Sequence, residues 1–328
     1  MFDIYNRKID YIRISVTDRC NLRCIYCMPE KGIQSVDHKD ILSYEEIIYL
    51  CESFAKVGIS KIKITGGEPL VRDNLAYLIK KIKSIQGINN VTLTTNGILL
   101  EEQIDSLVKS GLDAVNVSID SLDEITYKSI TRIGDVNKVM RGINKTLEYK
   151  HIVVKVNCVP IAGVNDEQIL DITKMAQNKK ISIRFIELMP IGLGKKIKGI
   201  SEDRLKMIIE ENFGKLTVFN KSIGNGPSNY YSLDNFQGKI GFISAVSHKF
   251  CEKCNRARLT SNGFLKTCLQ YSEGQNLKTL IRSRKNDEEI MKVIKNTIYN
   301  KPRENRFLEA EDYENFEQNI MSQIGGWL

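Results

Sequence analysis

Residues 17–29 of the chain read TDRCNLRCIYCMP and carry three cysteines, Cys20, Cys24 and Cys27, in the spacing C-x3-C-x2-C. Gaps of two and three residues allow three thiolates on one short loop to converge on a single inorganic centre. Thiolate is the ligand type that selects iron–sulfur clusters and zinc. A four-iron cluster usually takes four cysteines. Because this loop offers three, either a fourth ligand lies elsewhere in the chain or one metal atom is left open for a ligand that is not protein.

A structural zinc knuckle is the simplest interpretation of three closely spaced cysteines. Tyr26 favours another one, because C-x3-C-x2-C with an aromatic residue before the last cysteine resembles the motif of the radical S-adenosylmethionine (SAM) superfamily. In that superfamily three cysteines hold a [4Fe–4S] cluster, and the amino and carboxylate groups of SAM chelate the open iron. The resemblance therefore implies a cluster on Cys20, Cys24 and Cys27 with SAM beside it.

Length and charge narrow the class of protein. The chain has 328 residues, enough for one large domain or a domain with a substantial appendage, and its 48 basic and 40 acidic residues leave a formal charge of +8. That balance suits an anionic ligand, but the basic residues are scattered, so we expect no nucleic-acid partner. The eight cysteines, the charged N-terminus MFDIYNRKID and the lack of a long apolar run predict a cytoplasmic protein with no membrane partner.

The apolar patterns predict six strands, each followed by a helix, at residues 11–16, 61–65, 91–94, 114–118, 152–158 and 181–187. Repeated strand–helix units predict a parallel sheet with right-handed crossovers. Motifs recur just after the strand ends, which is where a (βα) barrel keeps its chemistry. We therefore predict an α/β fold, an incomplete (βα)6 TIM-type barrel with a lateral opening, over residues 1–190.

After Pro190 the pattern changes, and we expect a C-terminal domain over residues 191–328 that ends in a mobile tail. Helices are predicted at residues 202–212, 276–282 and 287–298, and short strands at 216–219, 230–233 and 239–244. This region carries a second set of cysteines, Cys251, Cys254 and Cys268. His248 could complete a zinc site. Two separate sets of three favour two clusters instead, each with an iron free for a small molecule.

The second predicted strand runs into Gly66-Gly67-Glu68-Pro69. Two glycines allow the main chain to approach a ligand without a Cβ clash, and free main-chain groups can pair with that ligand. An ordinary turn is the alternative. In radical SAM proteins the matching motif lines the SAM amino group, which makes Gly67 and Glu68 the candidates here.

Five basic residues are candidates for an anion site. Arg13, Lys63 and Lys155 lie within predicted strands, and alternation turns them inward if the neighbouring Ile and Val residues pack on helices. Inward charges are costly unless an anionic ligand neutralises them. Arg256 and Arg258 alternate in an extended segment beside the second cysteine set, where two guanidiniums on one side form a fork for phosphate or carboxylate. Two solvated arginines are the alternative.

Taken together, these motifs resemble one family, the GTP 3′,8-cyclases of molybdenum-cofactor biosynthesis. The similarity covers essentially the whole chain through RISVTDRCNLRCIYCMP, ITGGEPLVR, LTTNG, NVSIDS, VKVN, RFIELMPIG, FCEKCNRARLTSNGFLKTCL and the terminal IGG. The resemblance implies an incomplete barrel closed by a C-terminal cluster domain. It assigns Cys251, Cys254 and Cys268 to an auxiliary [4Fe–4S] cluster. It also implies SAM contacts by Tyr26, Gly67, Ser118 and Met189, and GTP contacts by Arg13, Thr94, Lys155, Arg256 and Arg258, with Lys63 at a further GTP position.

The resemblance also implies the reaction and the partners. One electron from a low-potential donor cleaves SAM, the ribose 3′ hydrogen of GTP is removed, and carbon 3′ bonds to C8 of guanine. The product passes to a cyclic pyranopterin monophosphate synthase, and family members are usually homodimers. Two features depart from the family: Lys63 stands where arginine is typical, and Trp327 and Leu328 follow the terminal double glycine. The second departure puts the usual insertion of the tail into the active site in question.

Two other functions compete with this interpretation. A radical SAM peptide-modifying enzyme with an auxiliary cluster usually carries more C-terminal cysteines and has no special use for the CNRAR segment. A zinc- or cluster-bearing nucleic-acid-binding module is suggested by the charge of +8 and the two cysteine sets. The chain lacks the aromatic stacking pattern of such modules, and its key basic residues are predicted to face a barrel interior.

Overall fold

The structure is a computed structural model that describes residues 1–34, 36–221, 223–309 and 316–326. Its first six strands are β1 (Tyr11–Ser15), β2 (Lys61–Thr65), β3 (Asn90–Thr95), β4 (Ala114–Ser118), β5 (Val153–Cys158) and β6 (Ser182–Ile186). The remaining strands are β7 (Thr217–Phe219), β8 (Asn229–Ser232), β9 (Lys239–Ile243), β10 (Arg256–Leu259), β11 (Phe264–Lys266) and β12 (Gly274–Asn276). All six predicted barrel strands are present within a residue or two of their predicted bounds.

The helices are α1 (Tyr44–Lys56), α2 (Leu75–Lys83), α3 (Leu100–Lys109), α4 (Glu124–Thr131), α5 (Val136–Glu148), α6 (Gln168–Lys174), α7 (Glu202–Phe213), α8 (Leu277–Arg282) and α9 (Asp287–Tyr299). Helix α1 begins at a capping box, in which Ser43 accepts from the Glu46 amide and Glu46 accepts from the Ser43 amide. No helix within the described ranges is long and apolar enough to cross a membrane.

The strands form one sheet in the order β12-β11-β10-β1-β2-β3-β4-β5-β6-β9-β8-β7. Strands β1 to β6 are parallel neighbours in chain order, as expected for an incomplete (βα)6 barrel. The C-terminal region extends this arc at both edges, because β9 pairs parallel with β6 and β10 pairs parallel with β1. The loop between β9 and β10 therefore connects the two sides of the barrel opening.

The two faces of the strands differ in chemistry. Residues such as Ile12, Ile14, Ile62 and Ile64 are buried in the main apolar core, together with the apolar faces of the surrounding helices. The residues that alternate with them are polar and face the barrel interior. Burial of the apolar face supplies the free energy that holds polar side chains inside the barrel.

The C-terminal strands β10, β11 and β12 were not predicted as strands, although the segment of Arg256 and Arg258 was predicted to be extended. The pairing of β10 with β1 joins residues about 245 positions apart in sequence, between Tyr11 and Arg256. Local apolar patterns carry no information about such a distant partner. Strands β7, β8 and β9 lie close to their predicted positions.

The GGEP loop contacts the start of the cysteine loop rather than open space. The amide of Gly67 donates to the Thr17 carbonyl at 2.6 Å, and the amide of Glu68 donates to the Arg19 carbonyl at 2.7 Å. A Cβ on Gly67 would lie 2.4 Å from the Arg19 carbonyl oxygen and 2.5 Å from that of Asp18. The expected reason for these glycines, a close approach to a ligand, therefore needs correction: at Gly67 the side-chain direction is filled by the main chain of the cysteine loop.

We expect Gly67→Ala to displace the first cysteine loop, because neither of the two main-chain carbonyls can yield as a flexible side chain would. The variant should lose most of the iron bound by Cys20, Cys24 and Cys27 and retain that of the second set, measured by iron analysis of the anaerobically reconstituted protein. Gly226→Ala is the matched control, because Gly226 also has no positive φ and its Cβ would meet only Arg184 Nη1 at 3.8 Å. Equal iron contents in the two variants would contradict this interpretation.

Candidate functional site

The first cysteine set lies on the loop that follows β1 and is fastened to α4. The amides of Arg23 and Ile25 donate to the carbonyls of Thr131 and Ile130 at the end of α4, at 3.1 and 3.0 Å. Arg132 then donates to the carbonyls of Arg23 and Met28, at 2.6 and 3.1 Å. These contacts fix both ends of the segment that contains Cys24 and Cys27, and all three cysteines line one cavity.

Tyr26 is buried in the wall of this cavity and donates its hydroxyl to Asp120 at 2.5 Å. The other oxygen of Asp120 accepts from the Val159 amide at 2.8 Å. Burial raises the pKa of Asp120 to about 6, although the hydrogen bonds from Tyr26 and Val159 lower it. Asp120 lies two residues after the end of β4, and it joins the cysteine loop to the ends of β4 and β5.

Glu68 is buried and holds the loop after β3. One carboxylate oxygen accepts from the Thr95 hydroxyl at 2.6 Å and the Leu70 amide at 3.0 Å, and the other accepts from the Asn96 amide at 2.6 Å. Burial raises the pKa of Glu68 to about 7 despite these bonds. Both carboxylate oxygens thus accept hydrogen bonds from other residues of the chain. Gly66, Gly67 and Glu68 also line the cavity of the first cysteine set.

The three thiols of the first set are in an environment that opposes their ionisation. Burial, followed by the charge of Glu68, raises the pKa of Cys20 to about 11. Burial also raises the pKa of Cys24 and of Cys27, and the neighbouring cysteines add to the effect. The amides of Leu22 and Ser322 donate hydrogen bonds to the sulfurs of Cys20 and Cys27 respectively. A bound metal centre would supply the positive charge that these thiolates lack.

The second cysteine set lies where the C-terminal chain crosses between the two edges of the barrel. Cys251 and Cys254 are on the loop between β9 and β10, and Cys268 follows β11. All three line one cavity together with Met189, Arg256 and Arg258. Burial alone would raise the pKa of Cys254, but Lys301, Arg256 and the hydrogen bonds of Arg256 lower it to about 6. His248, considered above as a zinc ligand, contacts Ser247 at 3.1 Å and Glu202 at 3.7 Å.

The predicted inward cations are buried on the interior face of the barrel. Arg13, Lys63 and Lys155 are 2, 8 and 4% exposed, and Arg258 is 8% exposed. Arg258, Arg13 and Lys63 are adjacent in register across β10, β1 and β2. Arg256 is half-buried, and its guanidinium lies 4.9 Å from the centre of the Phe250 ring.

Among the residues that the structure describes, no carboxylate forms an ion pair with these cations to offset their burial. Within the described part of the chain, the Nε and Nη2 atoms of Arg13 have no hydrogen-bond partner. Burial is the main cause that lowers the pKa of each of these side chains. The charge of Arg258 lowers the pKa of Arg13 further. The charge of Arg184 does the same for Lys63 and for Lys155, whose pKa falls to about 7. Like charges this close repel one another, so the arrangement favours a polyanionic ligand over an empty interior.

Arg184 belongs to the same group and was missed in the sequence analysis. It is 4% exposed at the third position of β6 and donates from Nε to Asn157 at 2.9 Å. The alternation that identified Arg13, Lys63 and Lys155 applies equally to ISIRFIE, and could have found it. Asn157 also lines the cavity of the first cysteine set, so Arg184 links that cavity to the cations.

The double glycine of the tail lies inside the barrel. Thr65 donates to the Gly325 carbonyl at 3.0 Å, and Arg258 donates to the Gly326 carbonyl at 3.3 Å. Both glycines have positive φ, at 92° and 74°. Gly325 and Gly326 are therefore inserted into the barrel interior, although two further residues follow them in the sequence. Those residues, Trp327 and Leu328, lie outside the described residues.

The two cysteine sets are close neighbours. A second apolar cluster contains Tyr26, Leu188, Met189, Met321 and Ile324, with Cys24, Cys27 and Phe250 packed against it. Gly326 lines the cavity of the first set and contacts Arg258, which lines the cavity of the second. Of the predicted cofactor residues, Tyr26, Gly67, Glu68 and Ser118 line the first cavity, as does Thr94, and Met189 lines the second.

The residues of both cavities fit iron–sulfur clusters. Each cavity presents three cysteine sulfurs, which is the donor set of a cluster with one open iron. The first cavity adds main-chain atoms of Gly66 and Gly67 and the hydroxyl of Ser118, which suit the polar groups of a cofactor bound at that iron. The second opens toward Arg256 and Arg258, which suit an anionic substrate.

Solved structures share this architecture. Streptococcus suis SuiB bound to S-adenosylmethionine superposes with a TM-score of 0.59 at 16% identity, covering 84% of this chain and 63% of that one. The same protein bound to precursor peptide SuiA superposes with a TM-score of 0.62 at 16% identity, covering 91% of this chain and 66% of that one. At this identity the similarity concerns the fold.

Sequence comparisons identify the family. The model of the Radical SAM superfamily matches residues 14–176, and that of Molybdenum Cofactor Synthesis C matches residues 181–307. A protein of Clostridium perfringens (strain SM101 / Type A) named GTP 3′,8-cyclase is 44% identical over 326 residues, which are 99% of this chain and 100% of the relative. One of the same name from Desulforamulus reducens is 44% identical over 332 residues, with the same coverage. Because this identity extends over nearly all of both sequences, the chain belongs to the GTP 3′,8-cyclase family within the radical SAM superfamily.

Proposed function

We propose that this chain is an enzyme that cyclises GTP to (8S)-3′,8-cyclo-7,8-dihydroguanosine 5′-triphosphate, the first step of molybdenum-cofactor biosynthesis. The observation that carries the proposal is a group of buried cations beside two cavities lined by three cysteines each; the cations are Arg13, Lys63, Lys155 and Arg258, and no carboxylate of the described residues pairs with them. A nucleoside triphosphate supplies the negative charge that this interior lacks. Membership of the GTP 3′,8-cyclase family supports the same substrate.

The cofactors are two [4Fe–4S] clusters and SAM. Cys20, Cys24 and Cys27 hold the cluster that binds SAM, and Cys251, Cys254 and Cys268 hold the auxiliary cluster. When bound, the first cluster and SAM supply the one-electron chemistry that removes a hydrogen atom from the ribose. Tyr26, Gly67, Glu68, Ser118 and Met189 position SAM: Tyr26 is fixed by Asp120, and Glu68 fixes the loop of Thr95 and Asn96 that borders the cavity.

The basic side chains bind and orient GTP. Arg13, Lys63, Lys155 and Arg258 surround the triphosphate, and Arg256 at the mouth of the second cavity directs the nucleoside toward the auxiliary cluster. Thr94, whose hydroxyl accepts from Asn116 at 3.2 Å, is the candidate for a contact to the nucleoside. Fixing both ends of the nucleotide places its ribose between the two cavities, so position rather than acid–base chemistry is the contribution of these residues.

Apolar packing and the tail exclude water from the reacting atoms. Met321 and Ile324 are buried in the apolar cluster between the cysteine sets, and Gly325 and Gly326 are bonded to Thr65 and Arg258. The buried ion pair of Glu317 with Lys266 anchors this segment to β11. A closed interior protects a reactive substrate intermediate from side reactions.

The remaining expectations belong to the same proposal. The chain comprises a barrel unit of residues 1–190 and a C-terminal unit of residues 191–328, acts in the cytoplasm, receives electrons from a low-potential donor and releases its product to a cyclic pyranopterin monophosphate synthase. We also propose a homodimer. Phe2, Ile4 and Tyr5 on the N-terminal hairpin are 48–55% exposed, as is Tyr299 at 49%, which is an apolar surface suited to a second copy.

Anaerobic reconstitution with iron and sulfide tests the proposal. We expect near eight irons per chain, and GTP consumption with SAM and a low-potential reductant. Two zinc ions without sulfide, or unchanged GTP in the presence of both clusters, would refute it. The second result would favour a radical enzyme with another substrate.

We expect Arg256→Ala to slow GTP cyclisation roughly tenfold to a hundredfold, because a hydrogen bond to a charged group is worth about 1.5–3 kcal/mol. Cleavage of SAM without cyclisation should change far less, since Arg256 lies at the second cavity. Both rates are measured from the products by chromatography. Arg204→Ala, which removes an exposed arginine of α7, is the control and should leave both rates unchanged. Equal losses of both activities in Arg256→Ala would assign that residue a structural role.

We expect the stability of the wild type relative to Asp120→Asn to decrease as pH rises from 5 to 7.5. Burial raises the pKa of Asp120 to about 6 from the ordinary aspartate value of 3.8, so the folded chain retains a proton that the unfolded chain has lost above pH 4. This advantage is complete only below about pH 4, and full ionisation of the carboxylate costs the fold on the order of 3 kcal/mol, of which about 1.4 kcal/mol is lost between pH 5 and pH 7.5.

Urea unfolding followed by circular dichroism at the two pH values measures this difference. Asp123→Asn is the control, because hydrogen bonds from Thr126 lower the pKa of Asp123 and keep its titration below this pH range. The free-energy difference between wild type and Asp123→Asn should stay constant. If the free-energy difference between wild type and Asp120→Asn also stayed constant, ionisation of Asp120 would not destabilise the fold, and the prediction would be wrong.

A further inference from the structure

We infer that Lys301 and Asn305 set the reduction potential of the auxiliary cluster, and that Arg7 holds them in place. This inference rests on the assignment of Cys251, Cys254 and Cys268 to a cluster. The segment of residues 301–305, KPREN, follows α9 and contacts the chain beside all three of these cysteines. The sequence analysis gave this segment no role.

Lys301 joins the two stretches that carry Cys254 and Cys268. Its ammonium group donates to the carbonyl of Thr267, directly before Cys268, and to that of Arg256, two residues after Cys254, at 2.8 Å in the second case. The side chain lines the second cavity and the residue is 3% exposed. Among the described residues no carboxylate forms an ion pair with it, and its charge acts on both Cys251 and Cys254.

Asn305 donates two hydrogen bonds to one sulfur. Its main-chain amide lies 3.4 Å and its side-chain Nδ2 lies 3.3 Å from Cys251 Sγ. Nδ2 also donates to the Ala245 carbonyl at 3.0 Å, which holds the amide group in this orientation. Asn305 is 5% exposed, so water does not compete for these bonds.

Arg7 fixes the segment to the N-terminal hairpin. Its Nη1 donates to the carbonyls of Cys251 at 2.9 Å and Arg303 at 2.7 Å, and its Nη2 donates to the Pro302 carbonyl at 2.8 Å. Asp3 accepts from Nε at 2.6 Å and orients the guanidinium. One buried side chain therefore ties the main chain of Cys251 to the segment that carries Lys301 and Asn305.

These contacts have a defined electrostatic consequence. Reduction adds a negative charge to a cluster, and hydrogen bonds to its sulfurs and nearby positive charge stabilise that charge. The neutralising effect is strongest where solvent is excluded, as it is for Lys301 and Asn305. Both residues thus raise the potential of the auxiliary cluster. At the first cysteine set Glu68 raises the pKa of Cys20 and Arg23 lowers it, so the two charges act in opposite directions, whereas the contacts of Lys301 and Asn305 described above are with the second set.

The test is a redox titration of the full-length, anaerobically reconstituted protein, with the reduced clusters followed by electron paramagnetic resonance. Lys301→Met should lower the ratio of reduced to oxidised auxiliary cluster at a fixed potential at least tenfold, which is about 59 mV for one electron. Asn305→Ala, which removes the side-chain donor and leaves the main-chain one, should lower the ratio several-fold. The midpoint of the first cluster should not change in either variant.

Three comparisons separate charge from structure. Lys301→Arg should restore most of the wild-type midpoint, and Lys295→Met, which removes an exposed lysine of α9, should not move it. A parallel titration with Cys20, Cys24 and Cys27 replaced by alanine isolates the auxiliary signal. Iron content is determined for each variant, so that a lost cluster is not mistaken for a shifted one.

An unmoved midpoint in Lys301→Met and Asn305→Ala proteins that retain the auxiliary iron would overturn the inference. Loss of that iron from both variants and from Lys301→Arg would overturn it as well, because the segment would then serve assembly alone. Failure of the proposed function has a different signature. In that case the wild type itself lacks the second cluster or leaves GTP unchanged.

Discussion

The constraint that organises this molecule is the burial of like charges inside a barrel. Arg13, Lys63 and Arg258 are adjacent across three parallel strands, and Lys155 and Arg184 face the same interior. Their mutual repulsion and lost hydration oppose folding. The apolar opposite faces of the same strands, packed on the surrounding helices, provide the compensating free energy. The fold therefore maintains a positively charged interior, and an anionic ligand reduces the repulsion among its cations. The binding energy gained in this way is available for positioning the ligand.

The C-terminal region narrows the lateral opening of that interior. Strands β9 and β10 add to opposite edges of the six-stranded arc in the same parallel sense, and the loop between them carries Cys251 and Cys254 across the opening. This loop places the auxiliary cysteines against the barrel. The first cysteine set lies at the strand ends of the same barrel. The tail then fills part of the remaining space, with Gly325 and Gly326 bonded to residues of β2 and β10.

Local patterns were sufficient for the barrel but not for its closure. The bounds of β2 and β4 were predicted to the residue, and alternation placed Arg13, Lys63 and Lys155 inward, because both properties repeat within a few positions of the sequence. The pairing of β10 with β1, the insertion of Gly326 and the contact of Asn305 with Cys251 join residues distant in sequence. At Gly67 the sequence predicted that a side chain would not fit. The atoms that exclude a side chain there belong to the cysteine loop rather than to a ligand.

The two cysteine sets differ most in the charge around them. Burial raises the pKa of all three thiols of the first set, and at Cys20 Glu68 raises the pKa further while Arg23 lowers it. Near Cys254 the cations Lys301 and Arg256 outweigh burial and lower the pKa of the thiol to about 6. A metal centre displaces protons when it binds thiols. The cations beside the second set therefore favour both thiolate ligands and the addition of an electron at that centre. The charge around each set thus accompanies the different roles that family membership assigns to the two centres.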